Sequence, residues 1–292
     1  MLKGIIPAII TPFKGEDIDF LAFEKLLNFH INSGIGGFFV AGTNGEGPLL
    51  SKEEKSLLFK KAVEVVNRKV PVIAQIGEIT TSDTIKTGES AVNAGVDGVA
   101  IVSPYYFKLE DSALRAHFVK VARTLSPVPV YLYNLPANTG NTIKPSLARS
   151  IMEETDNVKG VKDSSKDLQT LEDFISALGP DKDVIIGTDN LILPGLVMGA
   201  KGAISGLANP LPELFAGMYD DYISGHLEEA KKKQLLINDI RTTTKQFSSI
   251  SALKVMLRLR GMDVGSVRPP LGELLPEQEA VLKKMLLELG YL

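Results

Sequence analysis

Val70–Val102 reads VPVIAQIGEITTSDTIKTGESAVNAGVDGVAIV and contains a complete strand–helix–strand unit. The apolar runs at Val70–Gln75 and Gly98–Val102 predict strands, and the longer segment between them has the spacing of an amphipathic helix. Gly95 lies where that helix should end, because glycine adopts a positive φ without a Cβ clash. The stretch therefore indicates a parallel βαβ unit.

The same alternation continues on both sides and predicts eight strands, each followed by a helix. The predicted strands are Ile5–Ile10, Gly37–Val40, Val70–Gln75, Gly98–Val102, Val128–Tyr133, Val158–Lys162, Val184–Gly187 and Ala203–Ser205. One helix start is marked by Ser51 and Glu54, which form an S-x-x-E capping box. Eight such units favour an α/β fold of the closed (β/α)8 TIM-barrel type, with an open parallel sheet as the alternative.

The strand signal stops after Ser224. Leu227–Ile240, Ser251–Arg260 and Pro276–Leu289 predict three helices, separated by turns that contain Ser, Gly and Pro. We therefore expect a barrel over residues 1–224 and a C-terminal helical extension over residues 225–292, with packing or subunit contact as the expected role of the extension.

The composition is that of an ordinary soluble domain, with 44% hydrophobic and 23% charged residues in 292. The net charge of −3 leaves no basic surplus for binding nucleic acid. The start, MLKGIIPAIITPF, is too short and too proline-broken for a signal peptide, and no apolar run reaches the roughly 18 residues of a membrane span. We expect a cytoplasmic protein without nucleic-acid or membrane partners.

The available chemistry is narrow. Cysteine is absent, which removes thiol nucleophiles and thiolate metal sites. The three histidines fall in predicted helices or a turn, and no carboxylates cluster at strand ends, so we expect no metal ion. Gly42–Gly47, GTNGEG, does not match the dinucleotide-binding pattern, so no cofactor is expected either. The reaction must therefore use oxygen or amine groups.

Active sites of barrels lie where the strands end and the following loops begin. The polar candidates at those positions are Thr11, Thr43, Asn44, Tyr133, Asn134, Lys162, Thr188 and Asp189. A weaker alternative use of this face is a phosphate cradle formed by the glycine-containing loops GTDN and SGLAN after the last two strands.

Lys162 is the most informative of these candidates. Strand alternation in VKGVKDS puts Val158, Gly160 and Lys162 on one face, so Lys162 would extend an apolar inward surface. Burial lowers an amine's pKa and yields the neutral nucleophile that condenses with a ketone. The alternative is an outward lysine that pairs with Asp163 or reaches solvent.

Tyr133 ends the adjacent predicted strand and could stand beside Lys162. A phenol there could transfer protons between a carbinolamine, a substrate hydroxyl and water. Its alternative role is a core aromatic with a satisfied hydroxyl group.

Five motifs together resemble the dihydrodipicolinate synthase/N-acetylneuraminate lyase family of pyruvate-dependent class I aldolases. They are PAIITPF at Pro7–Phe13, GTNGE at Gly42–Glu46, SPYY at Ser103–Tyr106, YNLPANTG at Tyr133–Gly140 and GVKDSS at Gly160–Ser165. The resemblance covers nearly the whole chain. It implies a (β/α)8 barrel with a C-terminal helical extension, assembled as a homotetramer of two tight dimers.

The resemblance also implies residue roles. Lys162 would be the Schiff-base lysine, Tyr133 the proton shuttle and Thr43 a relay hydroxyl toward Tyr106, which is donated across the dimer interface. Thr43 and Asn44 would hold the pyruvate carboxylate. Gly187 and Ile204 match positions that line the imine pocket.

Asn138 bears on the substrate. The lysine-pathway synthases of this family usually carry arginine there to bind the carboxylate of the aldehyde, and a neutral amide replaces such a contact poorly. The motifs look more like the 4-hydroxy-2-oxoglutarate and 2-keto-3-deoxy sugar-acid aldolase branches. We therefore expect a class I lyase that reversibly cleaves a 4-hydroxy-2-oxo acid to pyruvate and an aldehyde.

Two alternatives remain beside that expectation. The first is 4-hydroxy-tetrahydrodipicolinate synthase, which condenses pyruvate with aspartate semialdehyde. The second is a barrel that binds a keto acid without catalysis, against which the presence of Lys162, Tyr133, Thr43 and Tyr106 argues.

Overall fold

The computed structural model describes residues 2–292 and contains one eight-stranded parallel sheet. Its strands are β1 (Gly4–Pro7), β2 (Phe38–Val40), β3 (Val72–Gln75), β4 (Gly98–Val102), β5 (Val130–Asn134), β6 (Val158–Asp163), β7 (Asp183–Ile186) and β8 (Gly202–Ser205). Each predicted strand is present, with ends that differ by up to three residues.

The sheet curves until its two outermost members, β1 and β2, meet. Just beyond β1, Ala8 bridges to Phe39 of β2 in parallel fashion, and the Ile9 amide donates to the Phe39 carbonyl at 3.0 Å. The strand order around the sheet is otherwise sequential, from β2 to β8 and on to β1. The fold is therefore the predicted (β/α)8 barrel and not an open sheet.

A helix follows every strand and covers the outside of the barrel. These helices are α1 (Phe20–Ile31), α2 (Lys52–Val66), α3 (Thr81–Ala94), α4 (Asp111–Thr124), α5 (Pro145–Glu153), α6 (Leu168–Leu178), α7 (Ile192–Met198) and α8 (Pro212–Ile223). The predicted capping box is present, since Ser51 accepts from the Glu54 amide and Glu54 accepts from the Ser51 amide. Gly95 ends α3 in the left-handed region, at φ 86°.

Two short features escaped the sequence analysis. A two-stranded hairpin, Phe13–Lys14 with Asp17–Ile18, follows β1, and a single helical turn, Pro136–Thr139, follows β5. Both are too short to produce a periodic pattern.

The apolar side chains form two layers. The larger lies between the strands and the helices, and the smaller lies inside the barrel. The inner layer includes Ile6, Phe39, Ile73, Tyr131 and Tyr133. Because aromatic rings fill this interior, a polar side chain that enters it is removed from water.

The C-terminal extension consists of α9 (Leu227–Thr244), α10 (Ser249–Leu259) and α11 (Pro276–Glu288). Gln234 of α9 accepts from the Leu193 amide at 2.8 Å and donates to the Asp189 carbonyl at 3.0 Å. These bonds fix α9 beside the loop that follows β7. The division of the chain near residue 224 stays a prediction, since α8 ends at Ile223 and α9 packs against it.

Within residues 2–292, no helix combines the length and the apolar character needed to cross a bilayer.

Candidate active site

A cavity of about 240 Å³ opens at the carboxyl ends of the barrel strands. Six of the eight residues predicted for the site line it: Thr43, Asn44, Tyr133, Lys162, Gly187 and Ile204. They come from β5 and β6, from β8, and from the loops after β2 and β7. The barrel thus brings together residues that are up to 161 positions apart, from Thr43 to Ile204.

Lys162 projects into the barrel and is 4% exposed. Its Nζ lies 4.0 Å from the ring centroid of Phe39 and 3.9 Å from that of Tyr133. Among the described residues no carboxylate lies within 4.0 Å of this amine. Burial lowers the pKa of Lys162 below the ordinary lysine value, although the nearby Tyr133 hydroxyl and the more distant Asp189 carboxylate oppose the shift.

The alternative in which Lys162 points outward to Asp163 is wrong. Asp163 accepts from the Asn134 side-chain amide at 2.7 Å and from the Ser165 hydroxyl at 2.6 Å. Asn134 in turn accepts from the Ile143 amide at 2.9 Å. This buried network ties together the loops after β5 and β6, and so it fixes the strand ends that carry Tyr133 and Lys162.

Tyr133 lies directly opposite Lys162 in the register of β5 and β6. Its side chain is 3% exposed, and its ring meets that of Phe39 edge to face, with centroids 5.8 Å apart. The Tyr133 hydroxyl lies 3.4 Å from the Thr43 hydroxyl. Two hydroxyls therefore stand in series beside the buried amine.

The Thr43–Asn44 segment belongs to a tight loop between β2 and α2. Glu46 donates its amide to the Thr43 carbonyl at 3.1 Å, and the Thr11 hydroxyl donates to the Gly45 carbonyl at 2.7 Å. A Cβ on Gly206 would lie only 2.6 Å from the Asn44 side chain, so glycine there makes room for the amide. The loop presents hydrogen-bonding groups to the cavity opposite Lys162.

Two predicted site residues lie apart from the cavity. Tyr106 is 85% exposed and adopts a positive φ of 79°, and its ring contacts that of Phe107, which is 62% exposed. Asn138 is exposed on the Pro136–Thr139 turn and does not line the cavity. Neither side chain reaches Lys162 within one chain.

The sequence analysis missed a group of basic residues at the cavity mouth: Lys166, Arg241 and Lys245. Among the described residues none of the three has a carboxylate within 4.0 Å. Lys166 directly follows the KDSS motif and has a positive φ of 68°. Its position after a strand end was a usable signal, whereas nothing in the sequence connects Arg241 of α9, or Lys245 just after that helix, with the barrel face.

Asp189 also lines the cavity. Burial raises the pKa of its carboxyl group, while Ser205, Arg241 and Lys245 oppose that shift. Asp189 was a sequence candidate only by its place after the seventh strand.

The buried histidines lie in the outer helices. His30 and His117 have pKa values lowered by burial, to about 3 and about 4. No group of three His, Cys, Asp or Glu residues within residues 2–292 has a metal-binding arrangement.

Comparison with known proteins shows which family the chain resembles over its length. The family model described as the dihydrodipicolinate synthetase family matches residues 1–289. The chain is 36% identical over 292 residues to an uncharacterized DapA-like lyase of Halobacterium salinarum, covering 100% of this chain and 95% of the relative. It is 35% identical over 290 residues to the 4-hydroxy-tetrahydrodipicolinate synthase of Methanocaldococcus jannaschii, covering 99% of both chains.

A solved structure matches over a similar span. It is YagE of Escherichia coli K12, a prophage protein of the dihydrodipicolinic acid synthase family, in complex with pyruvate. Its identity is 28%, its TM-score is 0.95, and the match covers 99% of both chains.

The barrel, its helical extension and these relatives define the class of the protein as a pyruvate-dependent class I aldolase, a carbon–carbon lyase. The chain belongs to the dihydrodipicolinate synthetase family.

Proposed function

We propose that Lys162 forms an imine with the keto carbon of pyruvate, and that this imine is the reactive species of the enzyme. One observation carries the proposal. The Lys162 amine is buried between two aromatic rings, has no carboxylate within 4.0 Å among the described residues, and faces the cavity. Because burial lowers its pKa, this amine reaches the neutral form that attacks a ketone more readily than an exposed lysine does.

The pyruvate carboxylate lies against the loop that carries Thr43 and Asn44. Backbone amides and the hydroxyl and amide side chains of this loop are donors suited to a carboxylate. Gly187 lines the same cavity, and a Cβ there would lie 1.9 Å from the Ser164 hydroxyl oxygen. A larger residue at position 187 would therefore clash with Ser164, and glycine leaves the cavity wall beside the imine without a side chain.

Tyr133 moves the protons of the reaction. Lys162 adds to the keto carbon and gives a carbinolamine, which loses water to become the imine. Loss of a C3 proton gives the enamine, which attacks the aldehyde carbon while the aldehyde oxygen takes a proton from Tyr133. Hydrolysis of the new imine releases a 4-hydroxy-2-oxo acid and regenerates the amine. The same steps in reverse cleave that acid to pyruvate and an aldehyde.

Cleavage of a 4-hydroxy-2-oxo acid, of the 2-keto-3-deoxygluconate or 4-hydroxy-2-oxoglutarate type, is the first candidate for the overall reaction. It is favoured by Asn138, which supplies no charge for the carboxylate of aspartate semialdehyde.

The second candidate is condensation of pyruvate with aspartate semialdehyde, the reaction of a 4-hydroxy-tetrahydrodipicolinate synthase. The comparisons favour this candidate over cleavage, because the named synthases include relatives at 31–35% identity over nearly the full chain. The basic group at the mouth also offers charge for an acidic aldehyde, so Asn138 alone does not remove this reaction.

The active unit is a dimer within a homotetramer, and Tyr106 completes the proton relay of the partner subunit. The 85% exposure of Tyr106 beside the exposed Phe107 supports this assignment. The test is to mix Tyr106→Phe subunits with Lys162→Ala subunits, since each hybrid dimer then contains one intact site. Regained activity is the expected result, and hybrids that stay inactive would remove the cross-subunit role.

Borohydride reduction tests the central step. Pyruvate with sodium borohydride should give one stable adduct per chain, and peptide mapping should place it on Lys162. Lys162→Ala should remain folded and form no adduct. An adduct on another lysine, or none in an active preparation, would contradict the proposal.

A further inference from the structure

The loop of Thr43 and Asn44 is held from outside the barrel by the C-terminal extension. The side chain of Glu46 is 0% exposed and that of Lys254, on α10, is 3% exposed, and their charged atoms lie 2.7 Å apart. The second carboxylate oxygen of Glu46 accepts from the Arg268 amide at 2.7 Å. Lys254 also donates to the Ser266 carbonyl at 2.6 Å.

This ion pair sits on a strained stretch of backbone. Ala41 and Glu46 both have φ of 56°, a left-handed conformation that is unfavourable for residues other than glycine. The Glu46 amide donates directly to the Thr43 carbonyl, and the Gly47 amide donates to the Gly42 carbonyl at 3.0 Å. The conformation of Glu46 therefore sets the position of Thr43.

The Glu46–Lys254 ion pair is enclosed by further contacts that restrict the movement of its side chains. The Lys254 Nζ lies 4.4 Å from the ring centroid of Phe13, and the Arg268 guanidinium lies 4.5 Å from the same ring. Arg268 also binds both carboxylate oxygens of Glu54, at 2.6 and 2.9 Å, at the start of α2. The extension, the hairpin and α2 thus meet in one partly buried cluster next to the loop.

We propose that Glu46 and Lys254 are positioning residues for the pyruvate site. Their ion pair holds the loop of residues 41–47 so that the Thr43 hydroxyl stays beside Tyr133 and the Thr43–Asn44 donors stay opposite Lys162. The extension is then part of the catalytic apparatus as well as a packing element. This inference rests on the proposed function, which gives Thr43 and Asn44 their roles.

Paired neutral replacements separate positioning from stability. Removing one partner leaves a buried charge alone, whereas replacing both partners leaves no unpaired buried charge. We would therefore compare Glu46→Gln, Lys254→Met and the double variant. The matched control is Lys55→Met, which breaks the ion pair between Lys55 of α2 and Glu78 of the loop after β3, whose side chains are 3% and 14% exposed.

The measurement uses pyruvate alone, so that it does not depend on the identity of the aldehyde. The imine and enamine exchange the methyl protons of pyruvate with deuterium from the solvent, and NMR follows that exchange. In the double variant the Tm should stay within a few degrees of wild type, while KM for pyruvate rises by roughly tenfold or more, because small misplacements of binding groups are costly. Amides of residues 41–47 should exchange faster with solvent.

A purely structural role gives a different pattern. Loss of folded enzyme lowers the apparent kcat but leaves KM unchanged, and Lys55→Met should show only that effect. The inference is overturned if the double variant keeps wild-type KM and loop protection, or if Lys55→Met raises KM equally. Absence of methyl exchange in the wild type would instead overturn the proposed imine chemistry, and loop protection in the double variant would still decide the positioning of residues 41–47.

Discussion

Lys162 and Tyr133 stand directly opposite each other on neighbouring parallel strands, with the lysine Nζ 3.9 Å from the tyrosine ring centroid. The ring face attracts an ammonium ion, whereas burial in the barrel penalises it. Burial is the larger effect and lowers the pKa of Lys162. The amine is therefore neutral more often than an exposed lysine, and it can reach a ligand only from the cavity.

The first prediction concerns the two hydroxyls beside that amine. Tyr133→Phe should lower kcat by roughly 10²-fold or more, because it removes a general acid–base group while keeping the ring. Thr43→Val should have a smaller effect, because that hydroxyl lies a further 3.4 Å along the relay. Both are measured as turnover with pyruvate-forming substrates and as methyl-proton exchange of pyruvate.

Tyr131→Phe is the matched control for that experiment. Tyr131 lies on the same strand and donates its hydroxyl to Asp183 at 2.9 Å, deeper in the barrel. Loss of this hydroxyl, which donates to a buried carboxylate, should cost about 1.5–3 kcal/mol of stability and leave kcat unchanged. Equal losses of kcat in Tyr131→Phe and Tyr133→Phe would argue against a specific role for Tyr133.

The second prediction concerns pH. Only the neutral amine attacks pyruvate, so imine formation slows as the pH falls through the pKa of Lys162. The Asp189 carboxylate raises that pKa, in opposition to burial. Asp189→Asn should therefore lower the pKa of Lys162 further and move the acid-side loss of activity to lower pH.

The rate of borohydride trapping as a function of pH measures this shift. Asp173→Asn makes the same charge change on an exposed position of α6 and should leave the profile where it is. A profile that moves to higher pH in Asp189→Asn would show that the carboxylate acts on the amine in some other way.

The barrel was predictable from the sequence because each strand and helix carries its own periodic pattern. The strand ends then located Thr43, Tyr133 and Lys162, since all active-site loops of a barrel share one face. The inward direction of Lys162 followed from alternation with Gly160, which lies opposite the inward Tyr131. The prediction that Val158 shares this face is wrong, because the register of β5 and β6 shifts between Val158 and Gly160 and Val158 packs in the outer layer. For Thr43, Tyr133 and Lys162, a place at the carboxyl end of a predicted strand is enough to predict a place on the active-site face.

The basic residues at the mouth and the Glu46–Lys254 pair were not predictable in the same way. Arg241 and Lys254 lie on helices of the extension, and their arrival at the site depends on how α9 and α10 pack against the barrel. Charged side chains on an amphipathic helix have the same pattern whether they face solvent or a cavity. Only the tertiary arrangement distinguishes the two cases.

The third prediction concerns stability in acid. His30 is fully buried, neither ring nitrogen has a hydrogen-bond partner in the described part of the chain, and its pKa is lowered to about 3, mainly by burial. In the unfolded chain the ordinary value is 6.5. Between those values the unfolded state binds more protons, so the free energy of unfolding falls as the pH decreases, by up to about 1.4 kcal/mol per pH unit.

His30→Leu should remove this contribution to acid sensitivity. When the pH is lowered from 7.5 to 5, the free energy of unfolding should fall less in the variant than in wild type, as measured by urea unfolding at both pH values. His226→Gln, which replaces an exposed histidine, is the control. An unchanged difference between the two pH values in His30→Leu would mean that His30 does not titrate on unfolding as described.

The fourth prediction concerns the basic group at the mouth. If the aldehyde end of the substrate carries a carboxylate or phosphate, Arg241 of α9 is a candidate partner, because it lines the cavity without a carboxylate within 4.0 Å among the described residues. Arg241→Gln should then lower kcat/KM by roughly 10- to 150-fold for substrates with a charged aldehyde end, as expected for a lost charged hydrogen bond. Methyl exchange of pyruvate alone should be unaffected. A comparison of 2-keto-3-deoxygluconate with its 6-phosphate isolates the effect of charge at the aldehyde end, because both substrates carry the same keto-acid carboxylate.

The last prediction decides between cleavage and condensation. Asn138 lies on the Pro136–Thr139 turn, which begins directly after the cavity-lining residue Leu135. A longer side chain at residue 138 could therefore reach the mouth of the cavity. An arginine there would offer the carboxylate of aspartate semialdehyde a bidentate partner, which the amide of Asn138 does not provide. Asn138→Arg should therefore raise kcat/KM for condensation relative to cleavage of 4-hydroxy-2-oxo acids, with both reactions assayed in wild type and variant. Asn138→Lys adds the charge without the planar fork and should give a smaller gain. Condensation by the wild type that exceeds every cleavage reaction tested would instead assign the protein as a synthase, with Arg241, Lys245 and Lys166 supplying the charge that residue 138 lacks.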